Sequence, residues 1–316
     1  MSLPLAVLAL VVGLVILVRA ADTFVAGAES FALHRRWSPA VIGAVIVGFG
    51  TSLPELVTSV IAASGGQPDL ALGNAAGSNV ANLLLILGVA ALVAPIAGRR
   101  DQAPRRDGLI AGIASLLLLA VAMRGGIGPV EGALLVLALL GAVVWQVRTA
   151  RSGEPATDVP LPVPERFVGL RILGGLIGVL VGAQLLVGGA TVLAERAGLP
   201  EIVIGSVLVA VGTSLPELAT AIASARRGQV EILLGNLLGS NAFNALMVVG
   251  TSALVGAARG DGFPVDGAGL AVVAAAAVVT GVAALVLSRR PVVTRPAGAV
   301  LVALHVASVP ALIAIS

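Results

Sequence analysis

Residues 50–56 read GTSLPEL, and residues 212–218 read GTSLPEL again. The same shift lays GNAAGSNVAN (73–82) over GNLLGSNAFN (235–244). Between Gly43 and Gly88 in one copy and Gly205 and Gly250 in the other, 23 of 46 positions are identical without a gap. Shared hydrophobicity does not hold Gly, Asn, Ser, Pro and Glu in register, so the chain is a duplication. Any fold it adopts must be built from two like halves.

Both halves are made for lipid. The chain is 58% hydrophobic and 11% charged, with a mean hydropathy of +1.08, whereas a soluble domain is about 25% charged. Apolar runs near the length needed to cross roughly 30 Å of hydrocarbon recur along it. Ten are expected, at about 3–26, 38–64, 69–95, 107–123, 129–147, 168–193, 200–225, 230–256, 266–288 and 294–315. Lipid satisfies no backbone polar groups and no period-two alternation is present, so the spans are predicted to be helices. The fold class expected is an all-α integral membrane protein. The opening MSLPLAVLAL has no basic segment and reads as a first helix rather than a cleaved signal.

Five spans per copy is an odd number, so the second copy enters the membrane from the opposite side. That predicts two inverted-topology repeats of five helices. The first repeat is expected over 1–148, with its duplicated motif at 43–88, and the second over 167–316, with its motif at 205–250. The polar, proline-rich stretch 149–166 would be a cytoplasmic linker. All 19 basic residues are arginine, and they gather in alternate loops around Arg35, Arg99, Arg105, Arg148, Arg226 and Arg289. By the positive-inside rule those loops are cytoplasmic, which puts both termini on the extracytoplasmic side of a cell (inner) membrane. The pI of 11.1 thus reports topology and not a nucleic-acid partner. With no cysteine, thiolate metal sites are excluded.

Against this apolar ground the repeated block is polar. If the second span starts near Pro39, Thr51–Glu55 lies roughly 18–24 Å along it, near mid-membrane. An ionisable residue at that depth is a functional candidate. Thr51, Ser52, Glu55, Thr58 and Ser59 share one helical face, and Thr213, Ser214, Glu217, Thr220 and Ser224 nearly repeat it. Pro54 has no N–H for the carbonyl of Gly50, and Pro216 none for that of Gly212, so the second and seventh helices should be broken there. Asn74, Ser78 and Asn82, with Asn236, Ser240 and Asn244, form a second polar face spaced i, i+4, i+8. Gly73, Gly77, Gly235 and Gly239 would allow close helix approach. Asn74, Asn79, Asn236 and Asn241 are expected to be structural, tying the third and eighth helices to the broken ones, and Asp22 to pair locally with Arg19.

These ligands are hard oxygens and suit a hard cation. Two buried carboxylates are neutralised by one Ca²⁺, two Na⁺ or two protons, and six to eight oxygens at about 2.3–2.6 Å suit Ca²⁺ better than Mg²⁺. A site that either cargo can neutralise is the physical basis of antiport.

The paired GTSLPE and GNxxGSNxxN blocks resemble the two alpha-repeats of the cation/Ca²⁺ exchanger superfamily, in its Na⁺/Ca²⁺ exchanger branch. The resemblance covers the ten-span plan of the whole chain. It implies Ca²⁺ held by Glu55 and Glu217 with the backbone carbonyls of Thr51 and Thr213. It implies Na⁺ sites at Ser52, Ser214, Ser78 and Ser240 with the carbonyls of Gly48 and Ala210, and Asn82 and Asn244 completing the centre. It also implies alternating access in which the first and sixth helices slide against the rest. Some prokaryotic members carry aspartate where this chain has Asn244, which removes a third carboxylate here. The function expected is Na⁺-driven Ca²⁺ antiport, with H⁺/Ca²⁺ antiport and a cation channel as alternatives. No enzyme is expected, since no Ser/His or paired-aspartate arrangement lies in the repeated block. The partners expected are Ca²⁺, Na⁺ and the bilayer, with no cofactor and a monomeric chain.

Overall fold

The computed structural model describes residues 1–97, 102–150, 165–197, 210–260, 263–289 and 292–315. Helices α1 (Leu3–Arg35), α2 (Pro39–Thr51), α3 (Leu53–Ser64), α4 (Pro68–Val93), α5 (Gln102–Ala122) and α6 (Pro129–Ala150) form the first half. The second half holds α7 (Glu165–Arg196), α8 (Ala210–Thr213), α9 (Leu215–Arg226), α10 (Val230–Arg259), α11 (Gly267–Arg289) and α12 (Arg295–Ile315). Most of the expected linker, at 151–164, and the first part of the expected seventh span, at 198–209, lie outside the described residues. A two-residue antiparallel pair, Ile96–Ala97 with Val292–Val293, clips the end of α4 to the start of α12.

Among the described residues, six helices are long and apolar enough to cross a membrane: α1, α4, α6, α7, α10 and α11. The pair α2 and α3, bent by 44° at Ser52, makes a seventh. The break lies where Pro54 withholds its N–H, and the hydrogen-bond ladder resumes with Leu56 N–H on Ser52 O. α1 runs past its expected end at 26 to Arg35, and its 33 residues span about 50 Å. That exceeds the hydrocarbon thickness, so this helix must tilt or extend beyond it. It stops at Arg36, whose φ of 53° lies in the left-handed region.

Burial is layered around one element. The most apolar window of α10 is 94% buried, against 22% for α1, α6 and α7, whose Leu and Val side chains face outward. α10 is therefore the central post, and the peripheral helices present their apolar surface to lipid. Close backbone packing sets the arrangement. Gly13 abuts Leu186, Gly182 abuts Leu17 and Gly175 abuts Phe24, so α1 and α7 run antiparallel along their lengths. Gly235 lies against Ala40, Gly239 against Ala44 and Gly48 against Asn236 and Ser240, so α2 and α10 cross in the same direction. Gly88 meets Gly298 and its repeat counterpart Gly250 meets Gly132. Gly73 and Gly77 make no such contact among the described residues.

Candidate functional site

The break in the first half turns a serine toward an acid. Ser52 (φ −84°, ψ 7°) and Ser214 (φ −87°, ψ 0°) sit at the N-caps of α3 and α9, yet neither side chain caps its helix. Ser52 Oγ instead donates to Glu217 Oε1 of the other half at 3.0 Å. Ser78 Oγ donates to Glu55 Oε1 at 3.2 Å and lies 3.3 Å from Ser214 Oγ. Thr213 also bonds toward Glu55. Each glutamate lies in the first turn of its short helix, where the positive end of the helix dipole favours a carboxylate.

Both glutamates are 0% exposed, so they point into protein and not toward acyl chains. They are near enough to interact electrostatically. Each keeps one oxygen, Glu55 Oε2 and Glu217 Oε2, without a hydrogen-bond partner. One helical turn beyond Ser78 and Ser240, Asn82 Oδ1 and both polar side-chain atoms of Asn244 also have none. Buried polar atoms are normally paired, so these orphan atoms are the strongest sign of a ligand among the described residues. Among the described residues no group of three or more His, Cys, Asp or Glu converges. A cation here would meet two carboxylates and otherwise neutral oxygens.

A shell of repeated bonds holds the cluster. Asn74 Nδ2 donates to Glu55 O at 3.2 Å and to Ser59 Oγ at 2.9 Å, fixing α4 to α3. Asn236 Nδ2 donates to Thr220 Oγ1 at 3.0 Å, fixing α10 to α9, and Thr220 bonds back to Pro216 O. Asn79 Nδ2 donates to Asn241 O and Asn241 Nδ2 to Asn79 O, both at 3.1 Å. This reciprocity ties the two halves at equivalent positions. Asn241 Oδ1 further accepts Asn82 Nδ2 at 3.0 Å. Asn241→Leu should therefore strand Asn79 O and Asn82 Nδ2, lowering stability by about 2 kcal/mol, read as a fall in the melting temperature in detergent.

The structure brings together Glu55, Glu217, Ser52, Ser214, Ser78, Thr213 and, through Thr51 Oγ1 to Asn236 Oδ1 at 3.3 Å, Thr51. Ser240 Oγ donates to Gly48 O at 3.1 Å, and that carbonyl also accepts Ser52 N–H and Thr51 Oγ1. Ala210 opens α8, and its neighbours on the N-terminal side lie outside the described residues. Asn82 and Asn244 each begin a wide π-helical turn, Asn82–Ile86 and Asn244–Val248, at equivalent positions of the two repeats. Such turns cluster at functional sites, and the sequence carries no signature of them. The expected Arg19–Asp22 ion pair is absent among the described residues; helical spacing makes them neighbours without fixing their rotamers.

Comparison with known proteins bears on the family and the fold. The chain is 38% identical over 263 residues to the inner membrane protein YrbG of Escherichia coli, covering 79% of this chain and 80% of that protein. It is 31% identical over 288 residues to the sodium/calcium exchanger MaX1 of Methanosarcina acetivorans, covering 78% and 82%. Its fold superposes on the solved sodium-calcium exchanger NCX_Mj, soaked with Na⁺ and Sr²⁺, with a TM-score of 0.85 at 30% identity over 98% of this chain and 99% of that one. The family model described as sodium/calcium exchanger protein matches residues 5–148 and 168–314. The chain is a transporter of the membrane and belongs to the sodium/calcium exchanger protein family.

Proposed function

We propose that this protein is a secondary antiporter that exchanges Ca²⁺ for Na⁺ by alternating access, and that Glu55 and Glu217 are its shared cation ligands. One observation carries the reading: two fully buried glutamates from duplicated halves interact, each with an unpaired oxygen, inside a box of hydroxyls and amides. Empty, the box holds two uncompensated charges in low dielectric. Filled by one Ca²⁺ or by Na⁺ ions it is neutral, so the loaded states cross and the empty one does not. Thr51, Thr213, Ser52, Ser214, Ser78, Ser240, Asn82, Asn244 and the carbonyls of Gly48 and Ala210 supply the neutral oxygens. Such a donor set suits Na⁺, whereas proton exchange needs only the two acids.

The architecture proposed with it is ten spans in two inverted repeats, 1–148 and 167–316, joined by a cytoplasmic linker at 149–166. The antiparallel α1 and α7, and the reciprocal Asn79–Asn241 bonds, support a two-fold axis between the halves. The protein is proposed to act as a monomer in the inner membrane with both termini outside.

The test is radiolabelled Ca²⁺ flux in proteoliposomes with Na⁺ and pH gradients imposed separately. Uptake that follows the Na⁺ gradient at fixed pH is expected. Uptake driven by a pH gradient without Na⁺ would assign the protons as counter-ion, and flux indifferent to trans Na⁺ and trans Ca²⁺ would make the protein a channel. Within the same assay Ser52→Ala removes a hydroxyl from the Glu217 side of the box. A loss of about 1 kcal/mol should raise the Na⁺ concentration for half-maximal exchange by roughly 5-fold.

A further inference from the structure

A third buried acid stands apart from the duplicated block. Asp107, near the start of α5, is 2% exposed, and Gln146 of α6 is 4% exposed. Gln146 Nε2 donates to Asp107 Oδ1 at 3.0 Å, while Asp107 Oδ2 has no partner. The pair borders a small cavity with room for about one water molecule. Its walls are carbon: Phe49 of α2, Ile110 of α5, Leu139 and Val143 of α6, and Leu238 and Gly239 of α10.

The charged side chains nearby make their hydrogen bonds elsewhere, although Arg106 is close enough to act on the Asp107 carboxyl through space. Arg106, the next residue on α5, lies over the Trp145 ring at 5.2 Å and donates to Thr149 Oγ1. Arg105 donates to Ser288 O of α11. The helices packed around the cavity carry charge only near their ends: Glu131 and Arg148 on α6, Glu231 and Arg259 on α10, Arg289 on α11, and none on α2. Among the described residues, Asp107 is the only titratable one lining the cavity. A bare carboxylate walled by carbon is costly. A metal ion would need several oxygens, six to eight for Ca²⁺, where the wall offers one carboxyl and one amide. A proton needs a single oxygen.

The cavity also backs onto the cation box. Phe49 and Gly239 form its wall, and their chain neighbours Gly48 and Ser240 are bonded to each other at 3.1 Å. We infer that Asp107 is a proton-binding site separate from the Glu55–Glu217 centre, holding a proton on Oδ2 in this conformation, and that release of the proton alters exchange through Phe49 and Gly239. The proton comes from bulk water and returns to it, with no other bond made or broken. Once ionised, the carboxylate draws water into the cavity and loosens the α2–α10 crossing.

Two measurements test this. Infrared difference spectra of wild type against Asp107→Asn and Asp107→Ser should show the C=O stretch of a protonated carboxyl in wild type, shifted in D₂O and lost in both variants. Absence of that band from the difference overturns the site. This arm requires no transport, so it stands whether or not Na⁺/Ca²⁺ exchange is the activity. The second arm rests on that activity. At saturating Ca²⁺ and Na⁺, where protons no longer compete at the glutamates, the wild-type rate should still bend with pH and Asp107→Asn should lose the bend. A pH profile identical in wild type and variant overturns the coupling.

Discussion

Replacing Glu55 by Gln, and separately Glu217 by Gln, is expected to abolish Ca²⁺ transport while leaving an inserted, folded protein. Each substitution keeps the side-chain shape and removes one charge from the box. Unit charges about 4 Å apart at an effective dielectric near 20 interact by on the order of 4 kcal/mol, so cation affinity should fall by roughly 1,000-fold. Folding should survive, because a neutral amide removes the mutual repulsion of two buried acids. Size-exclusion profile and melting temperature check the fold, and Ca²⁺ flux checks the function. Full exchange by either variant would remove the carboxylates from the mechanism.

Gly239→Ala should do comparable damage through packing. A Cβ at this position would lie 2.5 Å from Ala44 Cα and 2.7 Å from Ala44 O. Both obstacles are main chain or attached directly to it, so no flexible side chain can give way. Overpacking of this kind costs about 3 kcal/mol, and relief requires α2 and α10 to part. Parting them pulls Gly48 from Ser240 and displaces Ser52 from Glu217. A lower melting temperature together with lost exchange is expected. Wild-type stability and flux would mean that the crossing has slack.

The parts of the site that the sequence made legible are those encoded by local chemistry and repeated twice. GTSLPE carries its own break, since Pro54 cannot donate, and its own charge. Repetition then separates meaning from accident. The spacing of Asn74, Ser78 and Asn82 likewise placed a polar face on α4; Asn74 and Ser78 bond to Glu55, while Asn82 bonds to Asn241 of the other half. What stayed hidden is tertiary. That Ser52 bonds the acid of the opposite half depends on how α3 and α9 face each other, which no spacing records. The Asp107–Gln146 pair joins residues of two helices outside the duplicated block, and neither side chain repeats. α1 outlasts its apolar run because hydropathy marks where lipid ends, whereas the helix continues to Arg35, packed through Ala28 and Ala32 and tied by Glu29 to Arg227.

The widened turns at Asn82–Ile86 and Asn244–Val248 set a phase between two jobs done by one rod. Upstream of each, side chains look at the ion box; downstream, Gly88 or Gly250 must look at a glycine on a distant helix. An ordinary α-turn advances about 100° per residue, so deleting a single residue inside either turn would swing one of these faces away from its partner. Insertions and deletions are accordingly barred from these five-residue windows.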